Sequence, residues 1–422
     1  MRRTIFHVDV NSAFLSWSAV KKLREEPGSV DLRTIPSAVG GDVSTRHGII
    51  TARSIPAKKF GIKTAMPVIK ALELCPNLVM IQSDFETYRR FSAAFIEILK
   101  KYGGVVEQAS IDEAYVDMTG QEALIEKAAA GRYSEPFPIN AALLIKNEIR
   151  DTLGFTVNIG ISENKLLAKM ASDFQKPDRI HTLYPEEVPE KMWPLPIGDL
   201  FGCGSKSAER LRHIGVFTIG DAAKLAPELL IPLLGNAGGT YIHEAANGRS
   251  DSIVTDEREE AKSISNELTT SYDIDEKNLS PDGEQILRLL AEKVSKRLKA
   301  KNFYAGTIGF GVKTDDFRRR SIQRKLDDTV NDEDTIYQVS RKLMDELLLG
   351  EKGLFRQGVK IRLFCISATG LDHGEFRQMT LFDFAQKKAV ERKENEKRER
   401  LNLMTRAIQE KYGRDAVHKG FK

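Results

Sequence analysis

The stretch Ser110-Ile111-Asp112-Glu113-Ala114-Tyr115-Val116-Asp117 sets two adjacent carboxylates between β-prone runs, with Val105 and Val106 on the approach and Tyr115 and Val116 on the exit. In a regular strand, neighbouring side chains point to opposite faces. Asp112 and Glu113 therefore share one site only if the backbone turns or bulges there, and a bulge that re-aims side chains is typical next to active sites. Adjacent acids without a counterion repel, so divalent metal binding is one use for the pair. A solvated loop is the other. The rest of the chain has to supply the further ligand that decides between them.

At 422 residues the chain is long enough for two to four domains, since single cores rarely grow past about 250–300 residues. Its apolar and charged fractions are those of a globular protein, and no apolar run reaches the length that spans a bilayer. Asp9 interrupts the first apolar run almost at once, which argues against a signal peptide. Cys75, Cys203 and Cys365 are widely separated and offer neither a disulfide framework nor a zinc spacing, so a reducing cytoplasm is the expected compartment. The net charge of +4 identifies no partner by itself, because its meaning depends on how the charges cluster.

Residues 4–10 read as a buried strand that ends on Asp9, and Asn11-Ser12 as the start of a helix. An acid at a strand end beside a helix N-terminus either holds a cation next to amides that receive phosphate oxygens, or merely caps the helix. Short strands are expected at 35–39 and 47–52 around the turn Gly40-Gly41-Asp42. Pro56 opens a short helix that Gly61 closes, and Pro67 opens another through Leu74. Arg53, Lys58, Lys59 and Lys63 make this block either a solvated face or a phosphate clamp. Residues 84–102 form an amphipathic helix with Tyr88, Phe91, Ala94, Phe95 and Ile98 on one stripe. After the acidic hairpin come a helix at 139–152, a strand at 155–161 and a helix at 164–175. This order is that of an α+β unit with helices on an antiparallel sheet, in which the Asp9 strand could lie beside the hairpin.

From Pro196 the character changes. Gly202-Cys203-Gly204 enters a helix carrying Lys206, Arg210 and Arg212, and Ile214-Gly215-Val216 makes a second turn. Helix, glycine hairpin, helix is a pattern that offers amides to a DNA phosphate without reading bases, although an ordinary helical turn has the same outline. Residues 249–261 are polar and read as a linker. Beyond them a β, α, β, β, α, β order, with strands at 262–271, 306–313, 321–326 and 359–367, suits a four-stranded sheet covered by two helices. Lys262, Lys313, Arg318, Arg319, Arg320, Arg324, Lys360 and Arg362 would give that sheet a basic, nucleic-acid-binding face. In the tail, Gln378-Met379-Thr380-Leu381-Phe382 exposes apolar residues that should dock in a pocket, and 386–400 reads as a basic helix.

Asp9 in a first strand, Pro56-Ala57-Lys58-Lys59-Phe60-Gly61, Ser110-Ile111-Asp112-Glu113-Ala114 and Lys176-Pro177 stand in the order and spacing of the Y-family DNA polymerases, the DinB/UmuC translesion enzymes. The resemblance runs from residue 1 to about 370. Within the family, the tail and Ile55-Pro56-Ala57-Lys58 look most like the ImpB/MucB/SamB-type UV-damage repair proteins. The resemblance implies a polymerase right hand: palm at 1–12 and 81–183, fingers at 13–80, and a thumb at 184–248 with helix-hairpin-helix. A linker at 249–261, a little finger at 262–370 and a tail at 371–422 complete it.

It further implies template-directed extension of a primer with dNTPs at low fidelity, in translesion synthesis. Asp9, the Val10 carbonyl, Asp112 and Glu113 would hold two Mg²⁺ ions, with Mn²⁺ able to substitute. Phe14 matches the steric gate against a 2′-hydroxyl. The Ala13 and Phe14 amides, Thr51, Lys58 and Lys176 would meet the nucleotide. Gly202, Gly204 and Lys206 of the thumb would meet DNA, joined by Lys262, Lys313, Arg318, Arg320, Arg324 and Arg362 of the little finger. Gln378, Met379, Leu381 and Phe382 resemble the peptide that docks on the bacterial sliding clamp, and the chain is expected to be a monomer. Three positions depart from the family pattern. Ile55 stands where most relatives have Tyr, Ala52 where many have Thr, and Lys58 where Arg is usual, which loses a bidentate phosphate fork. Arg53 is the expected replacement contact. A two-metal nuclease or cyclase, and a non-catalytic accessory protein, remain the competing readings.

Overall fold

The computed structural model describes residues 2–41, 48–131, 134–257, 259–374 and Met404, and the chain divides into two units, 1–260 and 261–422. The first opens with β1 (Ile5–Val10), α1 (Ala13–Glu25), β2 (Ser37–Gly40), β3 (Ile50–Arg53), α2 (Ile55–Lys59), α3 (Val68–Leu74) and β4 (Val79–Gln82). Next come α4 (Phe85–Tyr102), β5 (Val105–Gln108), β6 (Glu113–Asp117), α5 (Glu122–Ala129), α6 (Phe137–Glu148), β7 (Val157–Ser162), α7 (Lys165–Asp173) and β8 (Ile180–Thr182). Three of these, β4, α5 and β8, have no counterpart in the sequence reading. The two strands are only three or four residues long and pair in parallel with β2 and β7. Their state is set by tertiary pairing rather than by local pattern.

β1 lies at the centre of a five-stranded sheet of order β5-β6-β1-β7-β8. It is buried on both faces, and strand alternation divides its residues cleanly. Phe6, Val8 and Val10 join Ala114, Val116, Val157, Ile159 and Ile161 in the core beneath α4 and α6. Ile5, His7 and Asp9 therefore face the other way, toward α7. Gly160 on β7 makes that approach possible: a Cβ there would stand 2.0 Å from the Ala168 carbonyl oxygen and 2.4 Å from the Ser172 nitrogen. α4 begins on Asp84, whose carboxylate accepts the Thr87 amide, and its buried stripe is Tyr88, Phe91, Phe95, Leu99 and Tyr102. Ala94 and Ile98, expected on that stripe, are only half-buried.

A smaller sheet of order β3-β2-β4 carries the 33–80 block. The expected strand at 47–52 is β3 from Ile50; His47 and Asp42 lie outside the described residues. Farther on, α8 (Ser205–His213), α9 (Ile219–Lys224), α10 (Pro227–Leu234) and α11 (Asn236–Ala246) share a separate apolar core with α7. The segment expected to be a linker, 249–261, is docked at Val254 and Thr255. Val254 packs against Ile5, Tyr115 and Ala168, and the Thr255 amide donates to Glu107 at 3.1 Å.

The second unit contains β9 (Ser263–Ile274), α12 (Glu284–Ala300), β10 (Tyr304–Thr314), β11 (Arg319–Val330), α13 (Glu333–Leu349) and β12 (Ile361–Asp372), with an antiparallel sheet of order β11-β10-β12-β9. Ile308, Phe310, Phe364 and Ile366 face the helices and form its core. Among the described residues no helix is long and apolar enough to cross a membrane.

Candidate active site

The acidic pair is re-aimed by a turn. Residues 109–112 connect β5 to β6, with the Ala109 and Ser110 amides donating to the Glu113 carbonyl at 3.0 and 3.1 Å. The Ser110 hydroxyl oxygen accepts the Asp112 and Glu113 amides and donates to Asp112 Oδ1 at 2.7 Å. Asp112 thus sits in the turn and Glu113 starts the strand. β6 pairs antiparallel with β1 so that Asp9 is directly opposite Glu113, and the Val10 amide donates to the Asp112 carbonyl at 3.0 Å. Directly opposed residues of a pair point to the same face, so Asp9 and Glu113 converge on the α7 side.

All three acids line one cleft of ≈ 370 Å³, together with Val10, Ala13, Phe14, Thr51, Arg53, Ile55, Lys58 and Lys176. Two lysines counter the acids. Lys176 Nζ donates to Asp9 Oδ2 at 2.5 Å and stands 2.8 Å from Asp173. Lys169, 8% exposed, donates to Glu113 Oε1 at 2.6 Å and lies 3.7 Å from Asp9 and 3.4 Å from Asp173. Burial nevertheless pushes the Asp9 carboxyl above its ordinary value, and Glu113 adds to this, despite the pull of Lys176 and Lys169.

Among the described residues no three Asp, Glu, His or Cys side chains stand as a finished metal cage, because Asp9 and Glu113 are turned onto lysines. The donor set still suits a hard divalent cation. It offers carboxylate and carbonyl oxygens only, on one cleft wall, around an acid whose burial is not fully offset.

Behind the acids is a polar layer that the sequence reading missed. His7 is fully buried; burial, then Lys169 and Lys176, hold its imidazole well below the ordinary range, so it is neutral. Its Nδ1 meets Ser172 Oγ at 2.8 Å. Asn158 Nδ2 donates to the Ser172 and Gln175 carbonyls at the end of α7, while its Oδ1 accepts from Asn11 Nδ2 at 3.0 Å. This layer fixes the approach to Lys176. Lys169 carried a readable signal, since it sits one helical turn past Lys165 on a helix flanked by acids. The asparagines carried none.

Other expected contacts divide. Phe14 stacks on Tyr88, with centroids 4.6 Å apart and planes at 12°, and Phe85 meets it edge-on at 6.0 Å, which makes it a stiff wall. Ser12 provides no side-chain cap to α1, and Ala13 and Phe14, whose amides a helix cannot satisfy internally, line the cleft. Thr51 donates its hydroxyl to the Val39 carbonyl. Of the four expected cations, Arg53 and Lys58 line the cleft and Lys59 and Lys63 do not. Arg53 Nη1 donates to Thr64 at 2.9 Å, and its Nε is buried without a partner. Lys176, expected at a triphosphate, holds Asp9 instead.

Gly202 has φ +83°, and a Cβ would lie 2.5 Å from the Tyr241 ring, so packing already dictates this glycine. Gly204 precedes α8 with open space around it, and Lys206 is exposed. Arg210 is used internally, donating to the Leu233 carbonyl. In the second unit the expected single basic face splits in two. Lys313 pairs with Arg319 and Ile308 with Arg324, so alternation sends Arg320 and Arg324 to the helix side, where Arg324 pairs with Glu346 of α13 at 3.0 Å. Lys313, Arg319, Lys325 and Arg362 are left on or beside the open face, Arg319 tied to Glu267. Lys262 and Arg318 precede β9 and β11 rather than lying in them. Gln378, Met379, Leu381 and Phe382, and the helix expected at 386–400, lie outside the described residues.

Comparison with known proteins gives three family-model matches: the impB/mucB/samB family at residues 8–173, the C-terminal domain of that family at 261–381, and its HHH motif at 185–216. The chain is 37% identical to DNA polymerase IV of Clostridium acetobutylicum over 99% of its own length and 97% of the relative's. It is 34% identical to DNA polymerase IV 1 of Bacillus subtilis, over 99% and 92%. Among solved structures, a Y-family DNA polymerase chimera matches at a TM-score of 0.70 and 26% identity, covering 87% of this chain and 98% of the other.

Proposed function

The chain belongs to the impB/mucB/samB family of Y-family DNA polymerases, and from that premise we propose that its cleft extends a DNA primer along a template with dNTPs, as a low-fidelity translesion enzyme. The observation that carries this reading is the convergence of Asp9, Asp112 and Glu113 on one cleft, behind which two lysines hold the charge. Asp9, the Val10 carbonyl, Asp112 and Glu113 would hold two Mg²⁺ ions. Bound there, such ions lower the pKa of an attacking hydroxyl and stabilise charge on the transferring phosphoryl group.

The chain's own residues do the rest. With Asp9 engaged in holding a cation, Lys176 would be free to meet the triphosphate, where Lys58 and Arg53 add charge and the α1 amides receive phosphate oxygens. Lys169 keeps Glu113 oriented. Phe14, braced by Tyr88, leaves no room for a 2′-hydroxyl. In this reading the palm is 1–12 and 81–183, the fingers 13–80, the thumb 184–248 and the little finger 262–370. Clamp binding belongs to residues 378–382.

Primer extension by the purified full chain, with and without a bacterial sliding clamp, tests the assignment. Wild type extends. Asp112→Ala with Glu113→Ala loses at least about 10³-fold in rate, since charge stabilisation at the reacting phosphate is gone. Deletion of 378–382 spares distributive synthesis and removes only the gain from the clamp. Full extension by the double variant would refute the active-site assignment, and an undiminished clamp effect the docking peptide.

A further inference from the structure

Phe317, at the tip of the β10–β11 connection, is 58% exposed and has φ +65°. A left-handed backbone is uncommon for a bulky residue and persists only where its surroundings over-determine it. Here they do. The Phe317 amide donates to the Thr314 carbonyl and the Thr314 amide to the Arg318 carbonyl, both at 2.9 Å, and the Arg318 amide donates to Thr314 Oγ1 at 3.1 Å. The Asp315 amide ties the turn to the Lys360 carbonyl at 2.9 Å. Two cations lie against the ring, Lys313 Nζ 4.8 Å and Arg362 Cζ 4.6 Å from its centroid. The acids of the turn are engaged: Asp316 pairs with Arg318 at 3.1 Å and accepts the Thr314 hydroxyl, and Asp315 accepts the Lys360 amide.

A rigid aromatic held in water and flanked by phosphate-binding cations is the composition of a single-strand platform, in which the ring stacks on a base and the cations take its backbone. Duplex DNA hides its base faces along its length, so such a ring has work to do only where bases are unpaired. A cation–π contact at an exposed position is weak, and either cation can exchange the ring for a phosphate without leaving its strand. We propose that Phe317 is a stacking platform for an unpaired template base, with Lys313 and Arg362 on the flanking phosphates. This rests on the polymerase reading, which supplies a template with a single-stranded 5′ overhang.

Equilibrium binding of the full chain, without nucleotide, to a primer–template with a 5′ overhang and to a blunt duplex of the same paired length separates the contributions. Phe317→Ala weakens overhang binding about five- to tenfold. It leaves the blunt duplex and the salt dependence unchanged, because no phosphate contact is lost. Phe317→Trp restores the overhang term. Phe317→Asn, which tolerates the left-handed backbone, shows the same loss as Phe317→Ala and so excludes collapse of the turn as its cause. Equal losses on both DNAs, or no loss on the overhang, overturn the proposal. Wild-type primer extension on the same substrate reads the underlying assignment separately: extension with an unaffected Phe317→Ala sinks only the platform.

Discussion

In the proposed function, nucleotide selection would rest on two side chains of opposite character. Phe14 gains its rigidity from Tyr88, whose own hydroxyl is 3.0 Å from Ser18 Oγ, which braces the ring for the proposed steric role. Phe14→Ala should raise the ratio of ribonucleotide to deoxyribonucleotide insertion about ten- to a hundredfold, the range over which a pocket rejects one added hydroxyl. An unchanged ratio in single-nucleotide insertion kinetics removes the steric role. Arg53 has the reverse problem: it lines the cleft with its guanidinium anchored at one end by Thr64 and its Nε buried without a partner. If it compensates for Ile55 and Lys58, Arg53→Ala raises the nucleotide KM about tenfold, the order of a lost charge-assisted hydrogen bond. A KM equal to wild type would leave those departures without compensation.

At the scale of elements, the decisive contact is α7 on β7. Gly160 lets the helix backbone approach to a distance at which any Cβ collides with Ala168 and Ser172, and α7 carries Lys169 and leads into Lys176. Gly160→Ala should therefore destabilise by about 3 kcal/mol or more, at the upper end of overpacking costs, and lower activity by displacing both lysines. A melting temperature within about 2 °C of wild type would contradict it. This dependence also marks what the chain's letters could reveal. Strand alternation in Ile5–Val10 and the adjacency of Asp112 and Glu113 were legible, because both follow from period-two geometry. The pairing that sets Asp9 against Glu113 required only that two such strands be neighbours. Asn158 and His7 were not legible as site residues, and Lys169 was legible only as a cation one turn past Lys165, since the roles of all three come from a helix–sheet approach that one glycine permits. The basic sheet was half legible. Its cations were identified, but only the β10–β11 register shows that Arg320 and Arg324 face the helices.

The whole chain keeps its chemistry and its open basic sheet in separate units, each with its own apolar core. A fragment of residues 1–260 contains every cleft residue and the docked segment through Thr255, so it should fold and retain extension. What it lacks is Lys313, Arg319, Lys325 and Arg362. If these meet phosphates, the fragment binds DNA more weakly, and its slope of log affinity against log salt falls by about 2–4, at about 0.9 per contact. At saturating DNA the fragment's rate constant stays within about threefold of the full chain's, because uniform binding rather than transition-state binding has been removed. Salt titrations of DNA binding by the two proteins, with extension rates on the same primer–template, decide it. An unchanged slope would move the phosphate contacts out of the second unit, whereas a lost rate constant would make that unit part of the catalytic machinery rather than an electrostatic clamp.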